Sequence, residues 1–201
     1  MAPPRKHETD AILDATRALV LAHGPRAASV AAIAKASGAP AGTLYHRFGN
    51  RDGVLTATWL RALERFQSRA MAAAGDTPLD TAVGMGVAAV EFARADPDDA
   101  RLLLSLRPAD LVDGETGAAF ERTLTAMNAP LRARLLELAG QLYGSTEARC
   151  VDAVSRAVVD LPYAVVRRHA GRMPDWLEDD LAAGVRALLV AQTHLWAGKC
   201  E

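Results

Sequence analysis

Apolar residues along this chain recur at steps of three and four positions, which is the spacing of an amphipathic helix. Alanine is abundant, runs of β-branched residues are short, and glycine and proline mostly fall between the periodic segments. The pattern therefore predicts an all-α protein with no strand of useful length. The apolar stripe of the first predicted helix consists of Ile12, Leu13, Ala15, Leu19, Val20 and Ala22.

The first quarter of the chain contains signals for three short helices. A Gly-Pro pair ends the first helix, and Ser29 is a favourable N-cap for a second helix at residues 30–37. Gly38 can adopt the left-handed conformation that ends this helix, and Pro40 suits the first turn of a third. Helices of roughly seventeen, nine and nine residues, the last two joined by a tight turn, have the proportions of a helix-turn-helix headpiece.

Longer helices follow this headpiece. The apolar spacing predicts a larger C-terminal helical bundle, in which Pro130 marks a kink or a break. We place the domain boundary after residue 51, so that residues 1–51 form the headpiece, with the helix-turn-helix itself at about 29–48, and residues 52–201 form the bundle. The predicted helices of the bundle are residues 52–74, 77–95, 98–106, 115–143, 145–169 and 174–199.

The third predicted helix has two different sides. At about 100° per residue, Ala41, Leu44 and Phe48 lie together and are expected to pack on the first helix. The opposite side is small, polar and rich in hydrogen-bonding groups, a composition that suits insertion into a DNA major groove about 12 Å wide. The residues of this outward side are Gly42, Thr43, Tyr45 and His46.

The distribution of charge distinguishes the headpiece from the rest of the chain. The whole chain has a formal net charge of -1, which excludes a uniformly basic nucleic-acid binder. Residues 1–51 nevertheless carry seven basic and three acidic side chains, a balance of +4 that leaves -5 for the remainder. This asymmetry suggests that only the N-terminal quarter meets a polyanion. The N-termini of the second and fourth helices, near Ser29 and Arg51, favour anions, and Arg51 adds a full positive charge.

Signatures of other chemistry are few. Cys150 and Cys200 lie far apart in the chain, and His169 and His194 have no second ligand at helical spacing, so neither a metal nor a cofactor is expected. No motif of a hydrolase, a metalloprotease or a P-loop enzyme occurs, and we expect no enzyme activity. The G-x-G at residues 84–86 follows no strand, which favours close helix packing or a flexible pocket wall over a nucleotide loop. Without a secretion signal or a membrane-spanning segment, a cytoplasmic protein is expected.

Residues from about 8 to 55 resemble the N-terminal domain of the tetracycline-repressor (TetR) family of bacterial regulators. The segments that carry this resemblance are AILDATRALVLAHG, SVAAIAKASG, GTLYHRF and NRDGVL. The resemblance implies a homodimer that places its two headpieces in successive major grooves of a palindrome-like, double-stranded operator DNA. It also implies a small-molecule effector bound by the larger domain, and a dimer interface formed by the last two long helices.

The resemblance implies that the third helix and the start of the fourth contact DNA. Family members often carry a hydroxyl residue and a basic residue where this chain has Pro40 and Ala41, so we expect fewer direct hydrogen bonds to bases and more recognition of DNA shape. Arg47 replaces a frequent aromatic residue; it either lies on the first helix and pairs with an acid, or reaches a phosphate. Arg5 and Lys6 are either a DNA-contacting arm or a solvated terminus. The expected DNA-contacting set is Ser29, Pro40, Ala41, Gly42, Thr43, Tyr45, His46, Arg47 and Arg51, of which Thr43, Tyr45, His46 and Arg51 match the family's contact positions.

The larger domain is expected to bind the effector and to dimerise. Pocket candidates carry soft or aromatic surfaces, with ordinary core packing as the alternative, and they favour an apolar or amphipathic effector; they are Trp59, Met85, Phe92, Leu103, Phe120 and Met127. Stripes on the last two helices can build a four-helix interface between subunits; they consist of Ala153, Ala157, Leu161 and Val165, and of Leu181, Val185, Leu188 and Gln192. We therefore expect a transcriptional regulator, a repressor rather than an activator, which leaves its operator when the small molecule binds. The alternative is a helical small-molecule-binding or interaction protein that binds no operator.

Overall fold

The computed structural model describes the backbone of residues 5–107, 111 and 114–197, and the side chains of residues 9–107, 111 and 117–192. Within these ranges the regular structure is helical throughout, so the predicted all-α class is confirmed. A 3₁₀ turn, Pro25–Ala27, lies between the first two helices, and a π-helical turn, Arg156–Asp160, joins α8 to α9. The helices are α1 (Arg5–His23), α2 (Val30–Ser37), α3 (Ala41–Phe48), α4 (Arg51–Met71), α5 (Pro78–Ala95), α6 (Pro97–Ser105), α7 (Gly114–Tyr143), α8 (Ala148–Ser155), α9 (Leu161–Arg168) and α10 (Leu177–Ala197).

Helix α7 continues through Pro130, so the break that the sequence allows does not occur. A proline inside a helix removes one N–H group and crowds the carbonyl group four positions earlier. Pro130 and Ala126 are both exposed, so water can bind the carbonyl oxygen that loses its helical partner. The helix therefore tolerates this proline on its solvent side.

The helix expected at residues 145–169 begins at Ala148 instead and contains the π turn at Arg156–Asp160. Pro162 follows this turn directly. In a regular α-helix its ring would crowd the carbonyl group of Val158, to which it also has no N–H to donate. A wider turn relieves this contact, and the π turn is therefore a local consequence of the proline.

The chain forms two compact units, and their boundary differs from the expected one at residue 51. The N-terminal unit consists of Met1–Glu64 and Asp98–Ala126, and the C-terminal unit of Arg65–Pro97 and Met127–Glu201. The first part of α4 and most of α6 thus belong to the same unit as the headpiece helices. Three short helices expose too much surface for the core that they enclose, and further apolar side chains from α4, α6 and α7 complete that core.

The core of the N-terminal unit joins headpiece residues to later parts of the chain. Ile12, Ile33 and Leu44 are fully buried in it. Trp59 lies edge-to-face on Phe120, with 5.9 Å between the ring centroids, and its indole Nε1 donates to the carbonyl oxygen of Leu106 over 3.1 Å. The indole N–H therefore has a partner inside an otherwise apolar cluster.

A chain of alternating charges connects α4, α1 and α6 in the same unit. Arg61 of α4 donates to Asp10 and Asp14 of α1, over 3.1 and 2.6 Å. Asp14 also lies 3.4 Å from Arg17, whose guanidinium pairs with Asp99 of α6. The Asp99 side chain is only 1% exposed, so its charge requires compensation, to which this arginine contributes.

Helix α5 is buried on most sides in the C-terminal unit. A Cβ atom placed on Gly86 would lie 3.0 Å from a methyl group of Val185 in α10 and 3.5 Å from the ring of Pro162 in α9. Glycine therefore permits the close approach of these helices, and close helix packing at the G-x-G is confirmed. Tyr143 donates its hydroxyl to the carbonyl oxygen of Leu189, over 3.2 Å, and burial raises the pKa of Tyr143 to about 12, so the donor stays protonated.

The residues of the predicted dimer stripes differ in burial, and their role in a dimer stays a prediction. Ala153, Ala157, Leu181 and Val185 are buried within the subunit itself and have no surface to offer a second subunit. Helical spacing identifies the buried side of a helix, but it does not distinguish the subunit's own core from an interface. The remaining candidates are partly or fully exposed: Leu161, Val165, Leu188 and Gln192.

Candidate DNA-binding surface

Local side-chain hydrogen bonds define the turn between α2 and α3. Ser29 has an extended backbone, and its Oγ accepts a hydrogen bond from the backbone N–H of Ala32 over 3.1 Å, as an N-cap does. Gly38 ends α2 with φ of 73°, in the left-handed region where glycine carries no steric penalty. Ser37 Oγ donates to Ile33 and accepts from the N–H of Ala39, which stabilises the turn. The predicted N-cap and the predicted end of α2 are confirmed.

Helix α3 is fixed from one side. Leu44 is 1% exposed, and Phe48 packs against the same core. Tyr45, which is 55% exposed, and His46 therefore point outward, as expected from the helical angle. Pro40 and Gly42 are also exposed, and Thr43 is half-buried.

The position of Ala41 differs from the expectation that it packs inward with Leu44 and Phe48. Its angle around the helix places it beside Leu44, yet Ala41 is exposed. It is the first residue of α3, and only the later residues of that side, Leu44 and Phe48, are covered by the core. Ala41 consequently adds its methyl group to the outward surface.

Arg47 follows the first of the two alternatives that the sequence leaves open. Its Nη1 donates to the hydroxyl oxygen of Thr9 on α1 over 2.8 Å. The partner of this hydrogen bond is a hydroxyl group, and the expected pairing with an acid stays a prediction. The guanidinium thus connects α3 to α1.

Arg51 binds several oxygen atoms of the protein. Its Nε donates to the carbonyl oxygen of Ala28 over 3.0 Å, and its Nη2 donates to the carbonyl oxygen of Pro25. Its Nη1 donates to Asp52 over 2.8 Å. Three of its five N–H groups are therefore directed at the protein. The expected phosphate contact at this position stays a prediction.

The sequence analysis did not predict the roles of two residues at the start of α4. The side-chain oxygen of Asn50 accepts a hydrogen bond from the N–H of Gly53 over 2.8 Å, so Asn50 caps α4. A Cβ atom on Gly53 would overlap the carbonyl oxygen of Phe48, the last residue of α3. Glycine therefore allows the end of α3 to contact the first turn of α4. The preference of asparagine for N-caps could have identified Asn50, whereas the close approach at Gly53 has no local signal.

The six candidate pocket residues do not fall into one unit. Trp59, Leu103 and Phe120 belong to the core of the N-terminal unit or pack against it. Met85 and Phe92 are buried in the C-terminal unit, where Phe92 lies 5.5 Å from the Phe66 ring. Met127 is half-buried and also belongs to that unit. Their role in effector binding stays a prediction.

Other candidate chemistry lies away from this surface. His169 packs edge-to-face on Trp176, and Cys150 is buried. The side chains of Arg5, Lys6 and His194, and all of Cys200, lie outside the described residues. In the part of the chain that the structure describes, no three His, Cys, Asp or Glu side chains form a group that could hold a metal ion. No helix in those same ranges combines the length and the apolar character that crossing a membrane requires.

The headpiece is similar in sequence to known regulators. Residues 12–58 match the model of a family described as bacterial regulatory proteins, tetR family. The HTH-type transcriptional repressor ComR of Escherichia coli K12 is 38% identical over 66 residues, which are 33% of this chain. This alignment spans only 31% of the length of ComR.

Solved structures extend the similarity in fold to almost the whole chain. A TetR-like transcriptional regulator from Rhodococcus sp. RHA1 superimposes with a TM-score of 0.69 at 22% identity, covering 95% of this chain and 98% of that one. The ketosteroid transcriptional regulator KstR2 of Mycobacterium tuberculosis has a TM-score of 0.65 at 17% identity, with 95% and 96% covered. The family match falls on the helices that build the outward surface, so residues 12–58 are a domain of the tetR family of bacterial regulatory proteins, and the chain has the fold of the solved TetR-like regulators along almost its whole length.

Proposed function

We propose that the protein is a homodimeric repressor that inserts α3 of each subunit into the major groove of an operator and leaves it when a small molecule binds. The observation that carries this proposal is the exposure of Tyr45 and His46 on a helix whose other side is fixed by Leu44 and Phe48. A helix fixed in this way presents its outer side chains in one orientation, which base and phosphate recognition requires.

The proposed contacts follow from the chemistry of each exposed group. Tyr45 and His46 carry donors suited to phosphate oxygens at the edges of the groove, and the Thr43 methyl group suits the methyl group of thymine. Ser29 Oγ accepts from Ala32, which leaves its own proton available for a phosphate at the N-terminus of α2. Pro40, Ala41 and Gly42 have little side-chain bulk, so this end of α3 fits closely to DNA and reads its shape.

The proposed dimer interface uses the exposed apolar side of the last helices of the C-terminal unit. Tyr163 is 48% exposed and Leu188 is 41% exposed, and Val159 and Val190 are also exposed. Large apolar side chains that remain exposed on α9, on α10 and on the π turn before α9 give one unit a surface that a second subunit can bury. Leu161, Val165 and Gln192, which the sequence also suggests, are half-buried residues on the same two helices.

The proposed effector is apolar or amphipathic. Proteins of similar fold include a ketosteroid transcriptional regulator and FadR of Bacillus halodurans, a fatty acid degradation regulator, at 17% and 22% identity. An effector releases the operator only if it binds the DNA-free conformation more tightly, and each 1.4 kcal/mol of difference weakens operator binding about tenfold. Ketosteroids and fatty acids are therefore the first probes to add to the protein–operator complex.

Selection of bound DNA from a random pool tests operator binding. Purified protein should recover a palindrome-like sequence with half-site centres about one or two helical turns apart. The double variant Tyr45→Ala, His46→Ala should recover none, because it removes exposed donors without opening the core. Leu136→Ala, which shortens an exposed side chain on α7, is the control and should recover the same sequence. Failure of the native protein to enrich any sequence would instead favour a helical interaction or ligand-binding protein.

A further inference from the structure

Arg51 occupies a position where the family resemblance suggests a DNA contact, yet its guanidinium binds the backbone of a distant turn. Pro25 and Ala28, whose carbonyl oxygens it contacts, lie 26 and 23 residues earlier in the chain. Pro25 is the first residue of the 3₁₀ turn, and Ala28 lies between that turn and the N-cap Ser29. Arg51 thus connects the start of α4 to the start of α2.

The 3₁₀ turn provides a defined target for this arginine. Ala28 donates its own N–H to the carbonyl oxygen of Pro25 over 3.2 Å, and Ser29 donates to Ala27 over 2.9 Å. The Ala28 residue is fully buried. Asp52 accepts a third hydrogen bond from the guanidinium and limits its rotation. A planar guanidinium with several fixed donors suits this set of oxygen atoms, and a lysine ammonium group does not match its geometry.

The start of α4 is also connected to the end of α3. The Gly53 backbone contacts the carbonyl group of Phe48, and Asn50 between the two helices caps α4. A group that fixes α2 to the start of α4 therefore also fixes α2 relative to α3. In a helix-turn-helix, the relative position of these helices determines whether the phosphate contacts of one and the base contacts of the other form together.

We propose that Arg51 is a positioning residue for DNA binding, which holds the N-terminus of α2 in register with α3, and is not itself a phosphate contact. This inference rests on the proposed operator binding. It differs from the role that the family position suggests, because the guanidinium is already committed to two backbone carbonyl groups and a carboxylate.

Two substitutions of Arg51 distinguish its proposed positioning of α2 from the effect of its positive charge. Arg51→Lys keeps the positive charge but loses the paired carbonyl contacts, and Arg51→Gln loses both. If Arg51 positions α2, both variants bind the selected operator at least about tenfold more weakly at a temperature where each is folded, since hydrogen bonds of a charged group are lost. The slope of log affinity against log salt concentration stays that of the native protein, because no phosphate contact is removed. Arg26→Gln is the control for loss of charge, because Arg26 is exposed on the same turn and its substitution removes the same positive charge.

Two results would overturn the proposal. In the first, Arg51→Lys binds the operator with native affinity, whereas Arg51→Gln binds more weakly and its salt-dependence slope is shallower by about 2 per dimer. These values would make Arg51 a phosphate contact. If both folded variants bind the operator with native affinity, the contacts of Arg51 with Pro25 and Ala28 affect only the stability of the protein.

Amide hydrogen exchange without DNA provides a readout that does not depend on the operator. In Arg51→Lys, exchange at the N–H groups of Ala28, Ser29 and Ile33 should be faster, whereas α10 exchanges as in the native protein. Unchanged exchange near Ser29 would contradict the proposal. Faster exchange in a protein that selects no DNA would support the positioning by Arg51 and contradict only the proposed function.

Discussion

At the residue scale, two glycines of the headpiece have opposite surroundings. Gly53 lies against the carbonyl group of Phe48, and a Cβ atom there would overlap it. Gly42 is exposed on the outward side of α3, with nothing within 4 Å of an added Cβ atom. The same change to alanine therefore tests packing at one position and access to DNA at the other.

We expect Gly53→Ala to lower the free energy of unfolding by about 1–3 kcal/mol, because α3 or α4 must shift to remove the overlap. Gly42→Ala should keep the stability or raise it by up to about 1 kcal/mol, because alanine favours helix. Chemical denaturation measures both changes. Gly42→Ala should still weaken operator binding, since its methyl group occupies the surface that faces the DNA; equal binding by this variant would contradict the close approach proposed for α3.

Asp80 is a second residue whose local contacts lead to a measurable effect. The hydrogen bond from the Thr77 hydroxyl, and then that from Arg186 of α10, lower the pKa of Asp80 below its ordinary value of 3.8. A lowered pKa favours the folded state while the carboxylate is charged. This contribution is complete well above pH 3.8 and is lost as the pH falls through the pKa of the folded protein.

Asp80→Asn should therefore lower the melting temperature at pH 7, and the difference from the native protein should shrink below about pH 3.8. Thermal unfolding followed by circular dichroism at both pH values measures it. Glu121→Gln, at an exposed position on α7, is the control for a lost charge. A difference that stays constant between pH 7 and pH 3 would exclude the carboxylate as the cause.

At the element scale, α6 is attached to α1 through a buried charge. The Asp99 side chain is 1% exposed and pairs with Arg17, which is also linked through Asp14 to Arg61 of α4. Within α6, Arg101 and Asp98 form an exposed ion pair, with 3.5 Å between Nη1 and Oδ1. The two ion pairs thus differ in burial and in reach, because one joins α1 to α6 and the other lies within α6.

Arg17→Met should lower the free energy of unfolding by about 3 kcal/mol, because it leaves the Asp99 carboxylate buried without its arginine. Arg17→Met with Asp99→Asn should recover part of this loss, since the buried carboxylate charge is removed together with the arginine. The matched control Arg101→Met should cost less than about 1 kcal/mol, because its pair is screened by solvent. Equal costs for the two arginine variants, measured in urea, would argue against the importance of the buried pair.

At the scale of the whole molecule, the proposed dimer requires an apolar surface on each subunit. Tyr163 of α9 and Leu188 of α10 are the exposed candidates, whereas Val185, one turn from Leu188, is buried in the subunit's own core. This difference explains why the same helix contributes to both the core and the proposed interface.

Tyr163→Glu and Leu188→Glu should each shift the protein from dimer to monomer at micromolar concentration, because a charge in an apolar interface is left without a partner. Sedimentation equilibrium measures the change. Leu136→Glu introduces the same charge at an exposed leucine of α7 and should remain dimeric. If Leu136→Glu dissociates and the other two variants do not, the interface lies on α7.

Signals confined to a few neighbouring residues allowed the sequence alone to determine the helices and the outward side of α3. Ser29 caps α2 through an atom three residues away, Gly38 ends the helix by its own φ angle, and the direction of Tyr45 follows from the helical repeat. These features depend on local geometry, which neighbouring residues encode without reference to the rest of the chain.

Only the tertiary structure decided which partner each long side chain meets. Arg51 contacts carbonyl groups 23 and 26 residues away, and Arg17 contacts an aspartate 82 residues away. An apolar stripe such as that of Val185 looks the same whether it faces its own core or a second subunit. Such choices depend on how helices that are distant in sequence are brought together, and helical periodicity carries no information about that.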